Sequence, residues 1–272
     1  MSKVKIVWDP DSFELNALGT NKFLGATDGD TPSVAINIRM LSIDTPEVHY
    51  PGNQKPSRQD QPFRQLAEWI ERGQAPIAPE LGAYLLPRLA TGKAGTLQEE
   101  QGTKATEFFR ELLKSKLTRS NGSQRRVYLR VADQPFDDYG RLLAYMAPSY
   151  TKQELASMTR KERATFNLLM IESGWAASFP IYPSLPQLQD LELLQEDAEA
   201  AYGQQRGAWE EPLALTGYEF RMCVKLYEIT EKLIAGQTLP AKEWAAWISR
   251  HCLDMTTGLI YSPQDYFRGR TL

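Results

Sequence analysis

Hydrophobic and polar positions alternate most clearly near the start of the chain and again past its middle. Residues 3–8, 23–27 and 34–43 carry β-branched and apolar residues between Asp, Gly and Pro punctuation, and each predicts a strand. Residues 126–131 alternate as Arg-Val-Tyr-Leu-Arg-Val. Residues 142–146 predict a partner strand, joined to them through Asp137-Asp138-Tyr139-Gly140. Elsewhere the spacing is helical. Phe63, Leu66, Ala67 and Ile70 recur on one helical face. Phe108, Phe109, Leu112 and Leu113 line a helix whose other side carries Lys104, Arg110 and Lys114. Three capping-box patterns, Thr96 with Glu99, Thr151 with Glu154 and Thr159 with Glu162, mark helix starts. The last leads into a helix over residues 166–172 that Ser173-Gly174 closes. Residues 185–203 predict a further long helix. Residues 218–235 and 241–250 predict two amphipathic ones, the second begun by Pro240.

Strands first, then strands mixed with capped helices, predict an α+β fold. Five short strands are compatible with an OB-fold-like β-barrel with packed helices, although the pattern alone permits other α+β folds. Residues 50–97 are dense in Pro, Gln and Gly and read as a helical insertion rather than as core. The expected organisation is therefore a domain over residues 1–212, interrupted by the 50–97 insertion, and a helical C-terminal extension over residues 213–272.

Composition narrows the function classes. A hydrophobic fraction of 42% and a charged fraction of 24% are ordinary for a soluble globular protein. No apolar stretch is long enough to span a bilayer. The first sixteen residues, MSKVKIVWDPDSFELN, have no apolar segment followed by a cleavage pattern, so a cytoplasmic protein without membrane attachment is expected. Cys223 and Cys252 are expected to be reduced thiols, with a disulfide between them as the alternative. With His49 and His251 as the two histidines, there is no spacing for a Cys/His zinc site and little material for a Ser-His-Asp or Cys-His enzyme. The net charge of −3 means that a nucleic-acid binder of this sequence must concentrate its positive charge locally or borrow it from a metal.

Two clusters carry candidate chemistry. The first is Asp28-Gly-Asp30-Thr31, followed by Arg39 and then Asp44-Thr45-Pro46-Glu47. Four carboxylates fall within twenty residues. Hard oxygen ligands converging from strand ends suit Ca²⁺. Glu47, one step further along, stands where a base holding a water would be needed. Arg39 has the strand parity of the apolar Leu41 and Ile43, so its guanidinium needs an anionic partner. Taken singly, Asp-Gly-Asp reads better as a polar turn and Arg39 as a structural ion pair. The second cluster is Asp137-Asp138-Tyr139-Gly140-Arg141, a hairpin turn that gains interest through Arg141 as a partner for Arg39. Two guanidiniums can grip the oxygens of one phosphate.

These motifs, Asp-Gly-Asp-Thr, then Arg39 through Asp44-Thr-Pro-Glu47, then Asp137 through Tyr-Gly-Arg141 and Leu-Ala-Tyr145, occur in the order seen in the staphylococcal nuclease family, which the chain resembles. Residues 166–175 are similar to the family's Gly-ended helix. Residues 198–209, ending in Arg206-Gly-Ala-Trp209, are similar to its final helix and closing Trp. The resemblance covers roughly residues 13–210 without the insertion. It implies a calcium-dependent nuclease that hydrolyses DNA or RNA and leaves a 3′-phosphate. Asp30, Asp44 and the Thr45 carbonyl are implied as calcium ligands. Glu47 is implied as general base, and Arg39 and Arg141 as the pair that stabilises the transition state. Asp28, Tyr139 and Tyr182 are further candidates for substrate contact, with Phe179 beside Tyr182 in an aromatic role. The chain departs from the family in placing Asp138, a carboxylate, where a Lys contacts phosphate. It also departs in its insertion directly after Glu47. The alternative is a nuclease-like module that binds nucleic acid or a protein partner without cutting.

Overall fold

The computed structural model describes residues 20–50, 52–181, 184–244, 246–248, 252–253, 257 and 259–261. The expected strand at residues 3–8 lies outside them. The fold is mixed α+β, and among the described residues the largest sheet has three strands, the other strands forming two-stranded pairs. Strand β3 (Ile38–Met40) runs parallel to β6 (Leu142–Pro148), and β5 (Val127–Phe136) pairs antiparallel on the other side of β6. The β5–β6 hairpin turns through the expected Asp137–Arg141 segment, with Gly140 at a φ of +72° where a side chain would be strained.

The single strand expected over residues 34–43 is broken into pieces. Strand β1 (Lys22–Ala26) and β2 (Pro32–Ala35) form a separate antiparallel hairpin, exposed along most of its length. The chain then enters β3. Ser42 adopts a φ of +58°, rare for a non-glycine residue, and redirects the backbone into β4 (Ile43–Asp44). Strand β4 pairs with β7 (Ala177–Ser178) instead of continuing along β6. The Ser42 and Tyr145 hydroxyls are 2.6 Å apart, which helps hold the bend. Among the described residues these ladders do not close into a barrel, and the five-stranded barrel expected from the pattern is not seen as one sheet.

The helices follow the capping chemistry. Helix α1 (Asp60–Glu71) follows a Pro-led turn, and α2 (Pro79–Leu89) has Pro79 at its first position. Helix α3 (Ala94–Leu117) begins two residues before Thr96. The expected capping box does not form, because both of its members are taken elsewhere. The Thr96 hydroxyl and the Gly95 and Thr96 amides donate to Asp60, and Glu99 pairs with Lys55. A carboxylate from another helix thus satisfies α3's first amides. The Thr151–Glu154 box forms and starts α4 (Lys152–Ser157), while Thr159 and Glu162 exchange the same two bonds around a single turn. Helix α5 (Phe166–Glu172) ends at Ser173-Gly174 as expected, and α6 (Leu188–Gly203) follows.

Two hydrophobic cores result. The first joins β4 to α5 and α6 through Ile43, Leu168, Met170, Ile171, Ala176 and Leu194, and the middle of α3 covers it with Ala105, Phe108 and Phe109. Asn167, fully buried, stitches α5 to the sheet: its amide donates to the Leu41 carbonyl at 2.7 Å and accepts from the Met146 amide at 3.0 Å.

The second core corrects an expectation. Residues 50–97 do not lie outside the core; they build one together with helix α7 (Gly217–Ile234) of the C-terminal segment. Phe63 and Leu66 of α1, Leu81, Leu85 and Leu89 of α2, and Phe220, Cys223 and Leu226 of α7 are buried in it, with Trp247 beyond. Phe63 and Phe220 meet edge to face at 5.4 Å between ring centres, and Trp69 stacks on Tyr227 at 5.2 Å. Two segments more than a hundred residues apart in sequence therefore form one helical cap. Cys223 is a free thiol buried within it, and burial pushes its pKa far up, so the thiolate is suppressed. The cap ends in a short helix (Ala241–Trp244) and a turn (Ala246–Ile248), so the helix expected over residues 241–250 is curtailed within its described part. Among the described residues no helix is long and apolar enough to cross a membrane.

Phe220 sits between Phe63 and Tyr50 at the centre of the cap. Phe220→Ala is expected to lower the unfolding free energy by about 3–5 kcal/mol in a denaturant titration. A loss below about 1 kcal/mol would show that the two segments do not share a cooperative core.

Candidate active site

Asp44 is the most buried charged group of the candidate set, with 1% of its side chain exposed. A carboxylate so enclosed must be compensated by donors or cations. It has three partners. The Tyr218 backbone amide donates to Oδ2 at 2.6 Å. The Arg221 guanidinium donates to Oδ1 at 2.8 Å, and Arg39 Nη2 lies 3.5 Å from the same oxygen. Tyr218 and Arg221 both belong to the first turn and a half of α7, so the amino end of that helix is aimed at Asp44. A helix amino end carries unsatisfied N–H groups and partial positive charge, which favours an anion there.

Helix α7 reaches this position because of its own start signal. Thr216 accepts from the Glu219 amide and Glu219 accepts from the Thr216 amide, a complete capping box. Glu219 also accepts from the Tyr84 hydroxyl of α2 at 3.0 Å, which ties the cap's two segments together beside the site. Gly217 is the position of closest approach. A Cβ built there would lie 2.4 Å from the Thr45 carbonyl oxygen and 2.8 Å from Asp44 Oδ2, distances that no side chain tolerates.

Glu47 faces the same cation. Its Oε1 accepts from Arg221 Nη1, so one guanidinium bridges Asp44 and Glu47. Burial pushes the Glu47 carboxyl above the ordinary glutamate range, aided by neighbouring Asp44, while Arg221 and Arg39 pull the other way. Burial opposes the Arg221 charge, but Asp44 and Glu47 outweigh it and raise the Arg221 pKa. The backbone of Glu47 is fixed by α3. Gly102 lies so close that a Cβ there would meet the Glu47 carbonyl at 2.7 Å. The Gln98 amide, oriented by its hydrogen-bonding surroundings, accepts from the Glu47 N–H and donates to the Leu215 carbonyl, each at 2.9 Å.

Of the two sequence-predicted arginines, Arg39 lies on β3 as the register partner of Leu143, and Arg141 closes the hairpin turn that leads into the adjacent β6. Arg39 is one-third exposed, and its Nη2 also approaches the Ile43 carbonyl at 3.4 Å. Arg141 is held by Asp137 through Nε and Nη2, each at 2.7 Å. Partial burial works against the Asp137 charge, but Arg141 and the Tyr139 and Arg141 amides hold its carboxyl below the ordinary range. Tyr139 is fully open, 79% exposed at the tip of the hairpin.

The other predicted residues fall elsewhere. Asp28 and Asp30 lie on the exposed turn between β1 and β2, where their bonds are local. The Asp30 amide donates to Asp28 and the Thr31 hydroxyl to Asp30. Hydrogen bonds from Thr31 and from Asp30 hold the Asp28 carboxyl low. Phe179 packs on Tyr218 at 5.4 Å, against the same helix that covers Asp44. Tyr182 lies outside the described residues.

The arrangement does not fit a calcium ion as it stands. Asp44 is engaged by Arg221 and the Tyr218 amide, the Thr45 carbonyl faces Gly217, and Asp30 is bonded within its own turn. Among the described residues no three His, Cys, Asp or Glu side chains gather so as to hold a metal.

Sequence reading missed Arg221 and the start of α7. The Thr216-Gly-Tyr-Glu219 capping box was legible. The pairing of Arg221 with carboxylates 174 and 177 positions earlier was not.

The model of the family described as staphylococcal nuclease homologue matches residues 84–211. The match runs from within α2 to just before α7 and takes in α3, the β5–β6 hairpin with Arg141, α5, α6 and Trp209. It excludes Arg39, Asp44, Glu47 and Arg221. No curated protein matches the chain.

Gly217→Ala tests the contact between α7 and the Thr45 carbonyl. The added methyl must push the helix end away, at a cost of about 1–3 kcal/mol in stability. The Tyr218 amide is expected to lose hydrogen-exchange protection. Unchanged protection and stability would show that α7 is not seated on Asp44.

Proposed function

Starting from the staphylococcal-nuclease-like domain that the chain carries, we propose that this protein acts on the phosphodiester backbone of DNA or RNA as a nuclease. Arg39 and Arg141 bind the scissile phosphate, and Glu47 accepts the proton of the attacking water. What supports this reading is the position of Arg39 on β3 and of Arg141 at the turn leading into the adjacent β6, with Glu47 three residues beyond β4. Two planar guanidiniums there can each take two phosphate oxygens and neutralise the charge that grows as water adds to phosphorus. A carboxyl raised by burial is suited to accept a proton near neutral pH. Asp137 fixes the direction of Arg141, and Gln98 with Gly102 fixes the backbone of Glu47. Exposed Tyr139 beside Arg141 offers a ring face to a base.

Calcium is the ion that the family resemblance implies. Because Asp44, Thr45 and Asp30 are not arranged to receive it here, no step of this reading runs through it. The hold of Arg221 on both Asp44 and Glu47 favours a second reading, in which a nuclease-like module binds nucleic acid or a protein partner without cutting.

Cleavage of single-stranded DNA, plasmid DNA and RNA, with calcium or chelator, separates the two. Glu47→Gln is expected to slow cutting by about 10²–10⁴ while leaving the folded spectrum intact. Arg39→Ala is expected to slow it by about 10²–10³. Absence of cutting by the unmodified protein on every substrate would overturn the nuclease reading in favour of the binding module. Equal cutting by Glu47→Gln would remove Glu47 from the mechanism.

A further inference from the structure

Asp44 and Glu47 form a pair of half-enclosed to fully enclosed carboxylates at the end of β4, and one guanidinium spans them. The usual means of stabilising such a pair is a bound divalent cation, since two carboxylates close together in a desiccated site repel each other. Here three positive elements converge instead. Arg221 supplies a full charge, the Tyr218 amide supplies a donor at 2.6 Å, and the rest of α7's amino end adds its partial charge. Gly217 lets the helix approach until its Cα faces the Thr45 carbonyl, leaving that oxygen covered too.

We propose that Arg221 and the amino end of α7 act as an internal cation, seated on Asp44, Glu47 and the Thr45 carbonyl, which excludes a divalent metal ion from this position. The inference concerns regulation of the site assigned above and rests on that reading for its biological meaning. It makes the helical cap more than a cover. The cap's two segments share one core, Phe220 lies next to Arg221 in sequence, and Glu219 is bonded to Tyr84, so the packing that seats α7 also seats Arg221 on the carboxylate pair. A metal ion competes with a built-in side chain of effectively high local concentration. Removal of that side chain takes the cation from Glu47 and leaves Asp44 with Arg39 and the Tyr218 amide, which raises the pair's demand for a cation from solution.

The test is terbium and calcium binding by the full chain. Trp175 and Trp209 line the same small cavity as Asp44, so terbium bound there is sensitised by tryptophan excitation. Arg221→Gln is expected to bind terbium at least tenfold more tightly than the unmodified protein, with calcium displacing it. Adding Asp44→Asn to Arg221→Gln is expected to abolish the gain. Arg221→Met, which keeps the aliphatic stem, gives the same readout if the Gln variant does not fold. Equal terbium affinity in the unmodified protein and in the folded Arg221 variant would overturn the proposal. So would a gain that survives Asp44→Asn. Tighter metal binding with no cleavage of DNA or RNA by any variant would sink the nuclease reading and leave this one standing. Cleavage with unchanged metal affinity would do the reverse.

Discussion

The structure turns on the enclosure of one carboxylate. Asp44 sits at the end of a two-residue strand, almost wholly removed from water, and cannot stay charged there without partners. The chain supplies them from its two ends. Arg39 comes from the strand just before it, while Tyr218 and Arg221 come from a helix some 170 positions later. Seating that helix on Asp44 requires Gly217 at the contact and a capping box to start the helix at the right residue. The helix in turn brings Phe220, Cys223 and Leu226, which need the apolar faces of α1 and α2 to cover them. The cap, its docking and the candidate site therefore meet at the same buried carboxylate.

Local chemistry was the most legible part of the sequence. Residues 126–131 and 142–146 became the β5–β6 hairpin, and Asp137 through Arg141 became its turn, because alternation and Gly140 specify that structure within a short span. The Thr151 box and the Ser173-Gly174 end of α5 formed for the same reason. The failures were those of distance. Asp60, thirty-six positions before Thr96, displaced a capping box that was locally well formed. Ser42 in a left-handed conformation split a segment whose apolar pattern reads as one strand, with Tyr145 from another strand supporting the bend. The apolar spacing of Phe63, Leu66 and Ala67 was visible, but a segment crowded with Pro, Gln and Gly gives no local sign that it shares a core with residues past 216.

The candidate site divides along the same line. Arg39 and Arg141 could be named from their motifs, and the structure puts Arg39 on β3 opposite Leu143 and Arg141 at the turn that leads into β6. The carboxylates could be named, but not what would neutralise them. Asp28 and Asp30 satisfied each other and Thr31 within a turn, the bland outcome that an Asp-Gly-Asp sequence favours. Asp44 and Glu47 met a guanidinium instead of an ion. From sequence, a lone Arg in an amphipathic helix is indistinguishable from a solvated one; its burial against Asp44 follows only from the docking of the cap. Arg39 and Arg221 are matched here by Asp44 and Glu47, and Arg141 by Asp137, so these residues supply no local surplus of positive charge against the net −3.

The most direct measurement is a double-mutant cycle between Arg221 and Asp44 in equilibrium unfolding, using Arg221→Gln, Asp44→Asn and the pair. If the guanidinium and the buried carboxylate hold the cap to the sheet, the two substitutions are non-additive by about 0.5–3 kcal/mol, and the double variant is more stable than the sum of the single losses implies. Strict additivity would mean that the two groups do not interact, and that the cap rests on its hydrophobic core alone.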